Sequence, residues 1–158
     1  MAGQPFFLTM AGISLSLAGF AGLLASFRQP SQLWTVTDLW RLRRIVNRSF
    51  ISVFMALVPV PLFGIIGNEL ATVRITSALF AAVLLADLVL LTREWRRLWP
   101  GDRGLYTAWL ISGSIALLLL ANVALASGGV YELGLVLTLM WPVSIFMRVL
   151  RGMSAAAD

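Results

Sequence analysis

The stretch LATVRITSALFAAVLLADLVLL, residues 70–91, is almost entirely apolar and carries two charged side chains, those of Arg74 and Asp87. A helix of about 20 apolar residues is long enough to cross the roughly 30 Å hydrocarbon core of a bilayer. The stretch is followed at once by TREWRR, residues 92–97, which is rich in arginine. This pattern predicts a transmembrane helix that ends at a basic boundary on one side of the membrane.

Four further apolar runs flank residues 70–91, and the composition of the whole chain agrees with them. Of the 158 residues, 59% are hydrophobic and 12% are charged, against roughly 45–50% and 25% in soluble domains. The predicted fold class is an all-α membrane protein, a bundle of five transmembrane helices that forms one domain over residues 1–158. The predicted spans are residues 6–27, 49–66 with a cytoplasmic helical extension from about residue 37, 70–91, 105–126 and 130–147.

The arginines predict the orientation of the chain. All 12 basic residues are arginine, and every one except Arg74 falls on the same side when the five spans alternate. Basic loops remain in the cytoplasm, so we expect the N-terminus outside and the C-terminus inside, with Arg74 snorkelling outward. The arginines on the cytoplasmic side are Arg28, Arg41, Arg43, Arg44, Arg48, Arg93, Arg96, Arg97, Arg103, Arg148 and Arg151.

Turn residues place the ends of several helices. Gly67 and Asn68 separate the second run from the third, and Asn68 is a candidate N-cap. Ser127, Gly128 and Gly129 divide the apolar stretch of residues 105–150 into two spans, because glycine after a helical run is a stop signal. The spacing from Thr35 to Asp38 fits a capping box that starts the second helix before the membrane does.

Small residues line one face of the first span. Gly12, Ser16, Gly19, Gly22 and Ser26 are spaced three or four apart, which places them on one side of a helix. Such faces let transmembrane helices approach closely, so the glycines are helix-packing candidates inside the bundle or at a subunit interface. The alternative is the wall of a narrow pore, in which the hydroxyl group of Ser14 or Ser16 meets water or an ion.

Prolines interrupt two of the spans. Pro59 and Pro61 lie in the outer half of the second span and Pro142 lies near the middle of the fifth. A proline removes a backbone donor and obstructs the preceding turn, so we expect a kink or break there. The freed carbonyl groups are satisfied by neighbouring helices, by water or by a ligand.

Asp87 is the ionisable residue that lies deepest in a predicted span, six residues or about 9 Å before Arg93. Either it is ionised and paired with Arg44 or Arg48, with Asn47 assisting, or it carries a proton because burial disfavours the charge. Both a functional role and a structural ion pair are open. The candidate pathway or intramembrane polar residues are Asp87, Ser14, Ser16, Asn47, Arg48, Arg74 and Asn122.

The approach to the second span is basic and amphipathic. Arg41, Arg43, Arg44 and Arg48 interleave with apolar residues between residues 39 and 50, which is typical of a helix that lies at the membrane surface. The segment either sets the topology of the chain or binds anionic lipid through these arginines. Membrane lipid is in either case an expected partner.

Several classes of function are not expected from this composition. Without Lys, His or Cys, the chain has no side chain for a Schiff base, for the usual haem or zinc ligation, or for thiol chemistry. The carboxylates are scattered and form no catalytic motif. We therefore expect no enzyme, no metal and no cofactor, and no nucleic-acid partner, because the basic residues lie in loops between spans.

Two hypotheses about function follow. The first is a homo-oligomeric channel or transporter for an ion or small solute, suggested by the small-residue face, the proline break and Asp87. The second is a non-catalytic accessory or scaffold subunit that packs against another membrane protein through the same face. The arginine-rich composition is typical of multi-pass proteins of the bacterial inner membrane, which is the expected location.

Overall fold

The computed structural model describes residues 3–27, 35–99 and 104–154, and the regular secondary structure in these ranges is helical. Arg28, Pro30 and Arg103 lie outside these ranges. Five helical stretches are long and apolar enough to cross a membrane, with α2 and α3 together forming one of them. The all-α fold with five spans is therefore confirmed. In chain order the helices are α1 (Gln4–Phe27), α2 (Val36–Leu57), α3 (Pro59–Ile66), α4 (Glu69–Leu98), α5 (Gly104–Leu125) and α6 (Gly128–Ser154).

The chain divides into two compact units. The first, which we call the hairpin unit, contains Met1–Gln4 and Val58–Gly134 and so holds α3, α4, α5 and the start of α6. The second, which we call the terminal unit, contains Pro5–Leu57 and Leu135–Asp158 and holds α1, α2 and the rest of α6.

In the hairpin unit, α4 packs along α5, and α3 packs against α4. The fully buried residues of α4 recur every three or four positions, as a helix with one protein-facing side requires. Near the start of α6, the ring of Tyr131 meets the ring of Phe80 edge-on, with the centroids 5.8 Å apart. The buried apolar residues of α4 include Val73, Phe80, Ala81, Leu84, Leu88 and Leu91.

In the terminal unit, α1, α2 and α6 share one apolar core. The buried residues at its centre are Ala21 of α1, Leu42 and Ile45 of α2, and Ile145 of α6. Trp141 of α6 packs against the same core, so its indole ring contributes to helix packing. The amino-terminal end of α2 is capped by Thr35, whose hydroxyl oxygen accepts a hydrogen bond from the backbone N–H of Asp38 over 3.1 Å.

The predicted turn between the second and third spans is confirmed. Gly67 ends α3 in the left-handed conformation, with φ of 67°, and its N–H donates to the carbonyl group of Phe63. Such a residue is commonly glycine because a Cβ is disfavoured there. The side chain of Asn68 then caps α4 by accepting a hydrogen bond from the N–H of Ala71 over 3.1 Å.

The turn between α5 and α6 lies where the sequence predicts it, but the predicted glycine stop is wrong. Gly128 and Gly129 do not stop a helix, because α6 already begins at Gly128. The residue that ends α5 is Ala126, which has a φ of +55° and donates its N–H to the carbonyl group of Asn122. Asn122 stabilises this turn through its side chain, so a non-glycine residue occupies a conformation that glycine usually adopts.

The prolines act differently in the two helices that contain them. Near Pro59 and Pro61 the regular helix is interrupted at Val58, between the end of α2 and the start of α3, although the backbone of Val58 keeps a right-handed helical conformation with φ of −54° and ψ of −39°. Pro59 is the first residue of α3, a position where the missing N–H has no intrahelical acceptor to lose. Pro142 lies inside α6, which continues past it to Ser154.

Candidate functional site

The two sides of α1 differ in burial. One side is buried in the protein and carries Phe7, Met10, Ser14, Ala18 and Ala21. The opposite side is exposed and carries the small residues predicted from the sequence. We call these residues, Gly12, Ser16, Gly19, Gly22 and Ser26, the α1 ridge.

The α1 ridge leaves open space above the helix backbone. A Cβ atom added to Gly12, Gly19 or Gly22 would meet no other atom within 4 Å. Leu8, Leu15 and Leu23 are exposed beside these positions, each with more than half of its surface accessible. Small residues and exposed leucines therefore alternate along this exposed side of α1.

The serine hydroxyl groups of the ridge already have hydrogen-bond partners within α1. Ser16 donates its hydroxyl hydrogen to the carbonyl group of Gly12 over 2.9 Å, and Ser26 donates to the carbonyl group of Gly22 over 3.1 Å. Each hydroxyl is therefore satisfied within α1. A neighbouring helix can approach without leaving a polar hydrogen unpaired in lipid.

Ser14 lies on the other side of α1. Two residues along a helix turn the side chain by about 200°, and accordingly Ser14 is fully buried whereas Ser16 is exposed. The hydroxyl group of Ser14 donates to the carbonyl group of Met10 over 2.7 Å. Ser14 and Ser16, either of which the pore alternative would place against water or an ion, therefore face opposite directions.

The buried side of α4 carries polar residues in two places, with an apolar block between them. Thr72, Thr76 and Ser77 are buried in the amino-terminal half, and Asp87 is 4% exposed further along. Asp87 interacts with another residue of the chain. Between the two polar regions lie Phe80, Ala81 and Leu84, all with no exposed surface. This apolar block separates Asp87 from the threonines along α4.

Asn122 lies in a polar cluster within the hairpin unit. Its side-chain amide donates to the hydroxyl oxygen of Ser77 over 2.9 Å and to the carbonyl group of Ser127 over 3.0 Å. Its amide oxygen accepts from the N–H of Ser127 over 3.0 Å. The side chains of Tyr131 and Thr76 form a hydrogen bond with each other, and Thr76 directly precedes Ser77 in α4. The cluster fastens the turn between α5 and α6 to α4, which is a structural role.

The arginines of α2 differ in exposure. Arg44 and Arg48 are 5% and 3% exposed, and both interact with other groups of the chain; the guanidinium carbon of Arg44 lies 5.7 Å from the centre of the Trp40 ring. Arg41 pairs with Asp38 over 3.8 Å. Arg43 is exposed. Two of the four arginines predicted to bind anionic lipid are therefore buried in the protein, and the four do not face lipid together.

Two further predicted polar residues are exposed. Asn47 lies on the same exposed side of α2 as Arg43, and Arg74 lies on the exposed side of α4. Arg74 is therefore separated from the buried Asp87 on the same helix, as its spacing along α4 predicts. Among the described residues, no group of three or more His, Asp or Glu side chains is arranged to hold a metal ion.

The structural features together define a multi-pass helical membrane protein with five spans. Contact with membrane lipid follows directly from the length and composition of those spans. No family model, no curated protein and no solved structure matches the chain.

Proposed function

We propose that the protein is a non-catalytic subunit of a membrane assembly and that α1 joins it to a neighbouring transmembrane helix. The observation that carries this proposal is the outward position of the α1 ridge, where Gly12 and Gly19 have open space above them. Lipid tails are as apolar as leucine, so burial alone does not drive helices together in a bilayer. Close backbone approach over small residues does, through van der Waals contact and weak hydrogen bonds.

A second copy of the same chain is the partner that we propose. Gly12 and Gly19 are seven residues apart, as are Leu8 and Leu15, and this spacing lets leucines of one helix fill holes over glycines of another. The same face on two copies can pack against itself around a two-fold axis. Homo-oligomer formation through α1 is therefore geometrically self-consistent.

Cysteine cross-linking tests this proposal cleanly because the chain contains no cysteine. A disulfide requires Cα atoms within about 7 Å, so Ser16→Cys on the ridge should form a cross-linked dimer in oxidised membranes. Leu110→Cys is the matched control, since Leu110 is 72% exposed and belongs to a different helix, α5. Equal cross-linking at both positions would mean random collision and would contradict the proposal.

Cross-linking to a different membrane protein is a separate outcome of the same experiment. If Ser16→Cys forms no dimer but is trapped with another membrane protein in native membranes, the second copy is the wrong partner. The chain would then be an accessory or scaffold subunit for that protein. If cysteines at Gly12, Ser16 and Gly19 all fail to cross-link to any protein, the ridge is not an interface.

A second candidate function is a channel or transporter for an ion or small solute. The observation that favours it is Asp87, an ionisable residue buried inside a span. The apolar block of Phe80, Ala81 and Leu84 argues against a continuous polar route along α4. Ion flux from liposomes distinguishes the candidates: flux that Asp87→Asn abolishes supports transport, and silent liposomes favour the assembly role.

We propose the bacterial inner membrane as the location, with the N-terminus outside. The support for this orientation is the distribution of arginine along the chain, which leaves Arg74 alone on the opposite side. Labelling of single cysteines by a membrane-impermeant reagent in intact cells tests it. We expect labelling at Ala2→Cys and protection at Ala156→Cys.

A further inference from the structure

Arg93, Arg96 and Arg97 form an exposed, positively charged surface at the carboxyl-terminal end of α4. At about 100° per residue, the three positions fall within one third of the helix circumference. Val89 and Leu90 are exposed on the same side one turn earlier. This side of α4 therefore changes from apolar to guanidinium where the apolar run of residues 70–91 ends, and we expect the hydrocarbon of a bilayer to give way to phosphate groups there.

We propose that these three arginines bind the phosphate group of an anionic phospholipid in the leaflet at this end of α4. Each guanidinium offers several N–H donors in a planar fork that matches two phosphate oxygens. In the described part of the chain, neither an ion pair nor a side-chain hydrogen bond engages any of the three. Their donors are thus available to a lipid.

The mutual repulsion of the three charges favours a bound anion. Arg93 lies three residues from Arg96 and four from Arg97, and like charges at these spacings destabilise a helix. The carboxyl end of the α4 dipole offsets part of this repulsion for Arg96 and Arg97, which occupy the last turn. A phosphate group between the guanidiniums offsets the rest.

Hydrogen bonds within the hairpin unit fix the residues beside this basic surface. The indole N–H of Trp109 on α5 donates to the hydroxyl oxygen of Thr92 over 2.9 Å, next to Arg93. Thr92 in turn donates its own hydrogen to the carbonyl group of Leu88 over 2.8 Å. Trp109 and Tyr106 remain 43% and 76% exposed, as aromatic side chains at a lipid headgroup boundary commonly are.

The arginines at the end of α4 differ in exposure from those in the basic segment of α2. There, Arg44 and Arg48 are buried and engaged within the protein, so they cannot turn toward a headgroup without unpacking. At the end of α4 all three guanidiniums are exposed. Anionic lipid is accordingly assigned to α4 and not to a site that needs all four arginines of α2.

The test measures binding of phosphatidylglycerol to the full-length protein in detergent by native mass spectrometry. Phosphatidylcholine with the same acyl chains is the reference lipid. The wild-type protein should retain phosphatidylglycerol about tenfold more strongly, which corresponds to roughly 1.4 kcal/mol. Equal retention of the two lipids would overturn the proposal without any variant.

A triple variant, Arg93→Lys, Arg96→Lys and Arg97→Lys, separates phosphate recognition from topology. It preserves every charge and the positive-inside signal but removes the bidentate geometry. We expect the preference for phosphatidylglycerol to fall about fivefold, whereas Arg43→Lys, at an exposed position of α2, should leave it unchanged. An unaltered preference in the triple variant would show non-specific attraction and contradict the proposal.

The last measurement is a competition between inorganic phosphate and phosphatidylglycerol for the arginines. A lipid site gains affinity from acyl chains against Val89 and Leu90, so millimolar inorganic phosphate should not displace phosphatidylglycerol. Displacement would mean that the arginines take free phosphate and that the lipid assignment is wrong.

Discussion

The side-chain amide of Asn122 on α5 donates a hydrogen bond to the hydroxyl oxygen of Ser77 on α4 over 2.9 Å. The other amide hydrogen and the amide oxygen of Asn122 are used by the backbone of Ser127. One buried side chain therefore joins two spans and also closes the turn that leads into a third. Buried polar groups that are fully paired in this way define a single helix arrangement in the membrane.

Asn122→Leu should lower the free energy of unfolding by about 2–3 kcal/mol, because Ser77 and the Ser127 backbone lose their partners in a buried site. Titration with sodium dodecyl sulfate in mixed micelles measures this change. Ser114→Ala is the control, since Ser114 is exposed and its hydroxyl bonds within α5. A loss below about 0.5 kcal/mol, the range of an ordinary surface change, would contradict the structural role of Asn122.

Ala126→Gly should stabilise the protein. Ala126 has a φ of +55°, a conformation that costs a non-glycine residue roughly 1–2 kcal/mol, whereas glycine adds about 0.5–1 kcal/mol of backbone entropy on folding. The expected net gain is about 0.5 kcal/mol. Ala124→Gly, at an exposed position inside α5, should instead lower stability by about 1 kcal/mol. A loss of stability in both variants would exclude a left-handed residue at position 126.

Gly134 and Gly113 should respond with opposite sign to substitution by alanine. A Cβ at Gly134 would lie 2.9 Å from a methyl carbon of Leu119, which is fully buried and has little room to move. We expect Gly134→Ala to cost about 1–2 kcal/mol in unfolding free energy. Gly113→Ala meets nothing within 4 Å and should gain up to about 1 kcal/mol from helix propensity. Thermal unfolding in detergent compares the two, and a gain in both would place α5 and the start of α6 further apart than described.

Much of the fold follows from the sequence because the deciding signals are local. Long apolar runs can satisfy their backbone groups in lipid only as helices, and the spans therefore appear where hydrophobicity predicts them. The roles of Gly67 and Asn68 could also be predicted from the sequence, since the left-handed stop and the N-cap depend on neighbouring residues alone. The turn at Ala126 could not be predicted in this way. It depends on the side chain of Asn122 in α5, which also bonds Ser77 of α4.

Side-chain exposure was harder to predict than helix position. Arg43 and Arg44 are adjacent in sequence, yet one is exposed and the other is buried, because they lie about 100° apart on α2. A spacing signal was available: Arg44 and Arg48 are four residues apart and share a side with the buried Ser52. In the same way, spacing groups the residues of the α1 ridge but does not determine whether they face protein or lipid.

The mass of the protein in lipid nanodiscs, corrected for bound lipid, tests the assembly role most directly. The wild-type chain of 17.3 kDa should give a defined oligomer, because the α1 ridge of each copy packs against another. Gly19→Leu places a large side chain on the α1 ridge at a position where an added Cβ meets no atom within 4 Å, so it should leave the fold intact by circular dichroism and yield monomers. A monomeric wild-type protein, or an oligomer unchanged by Gly19→Leu, would contradict assembly through α1.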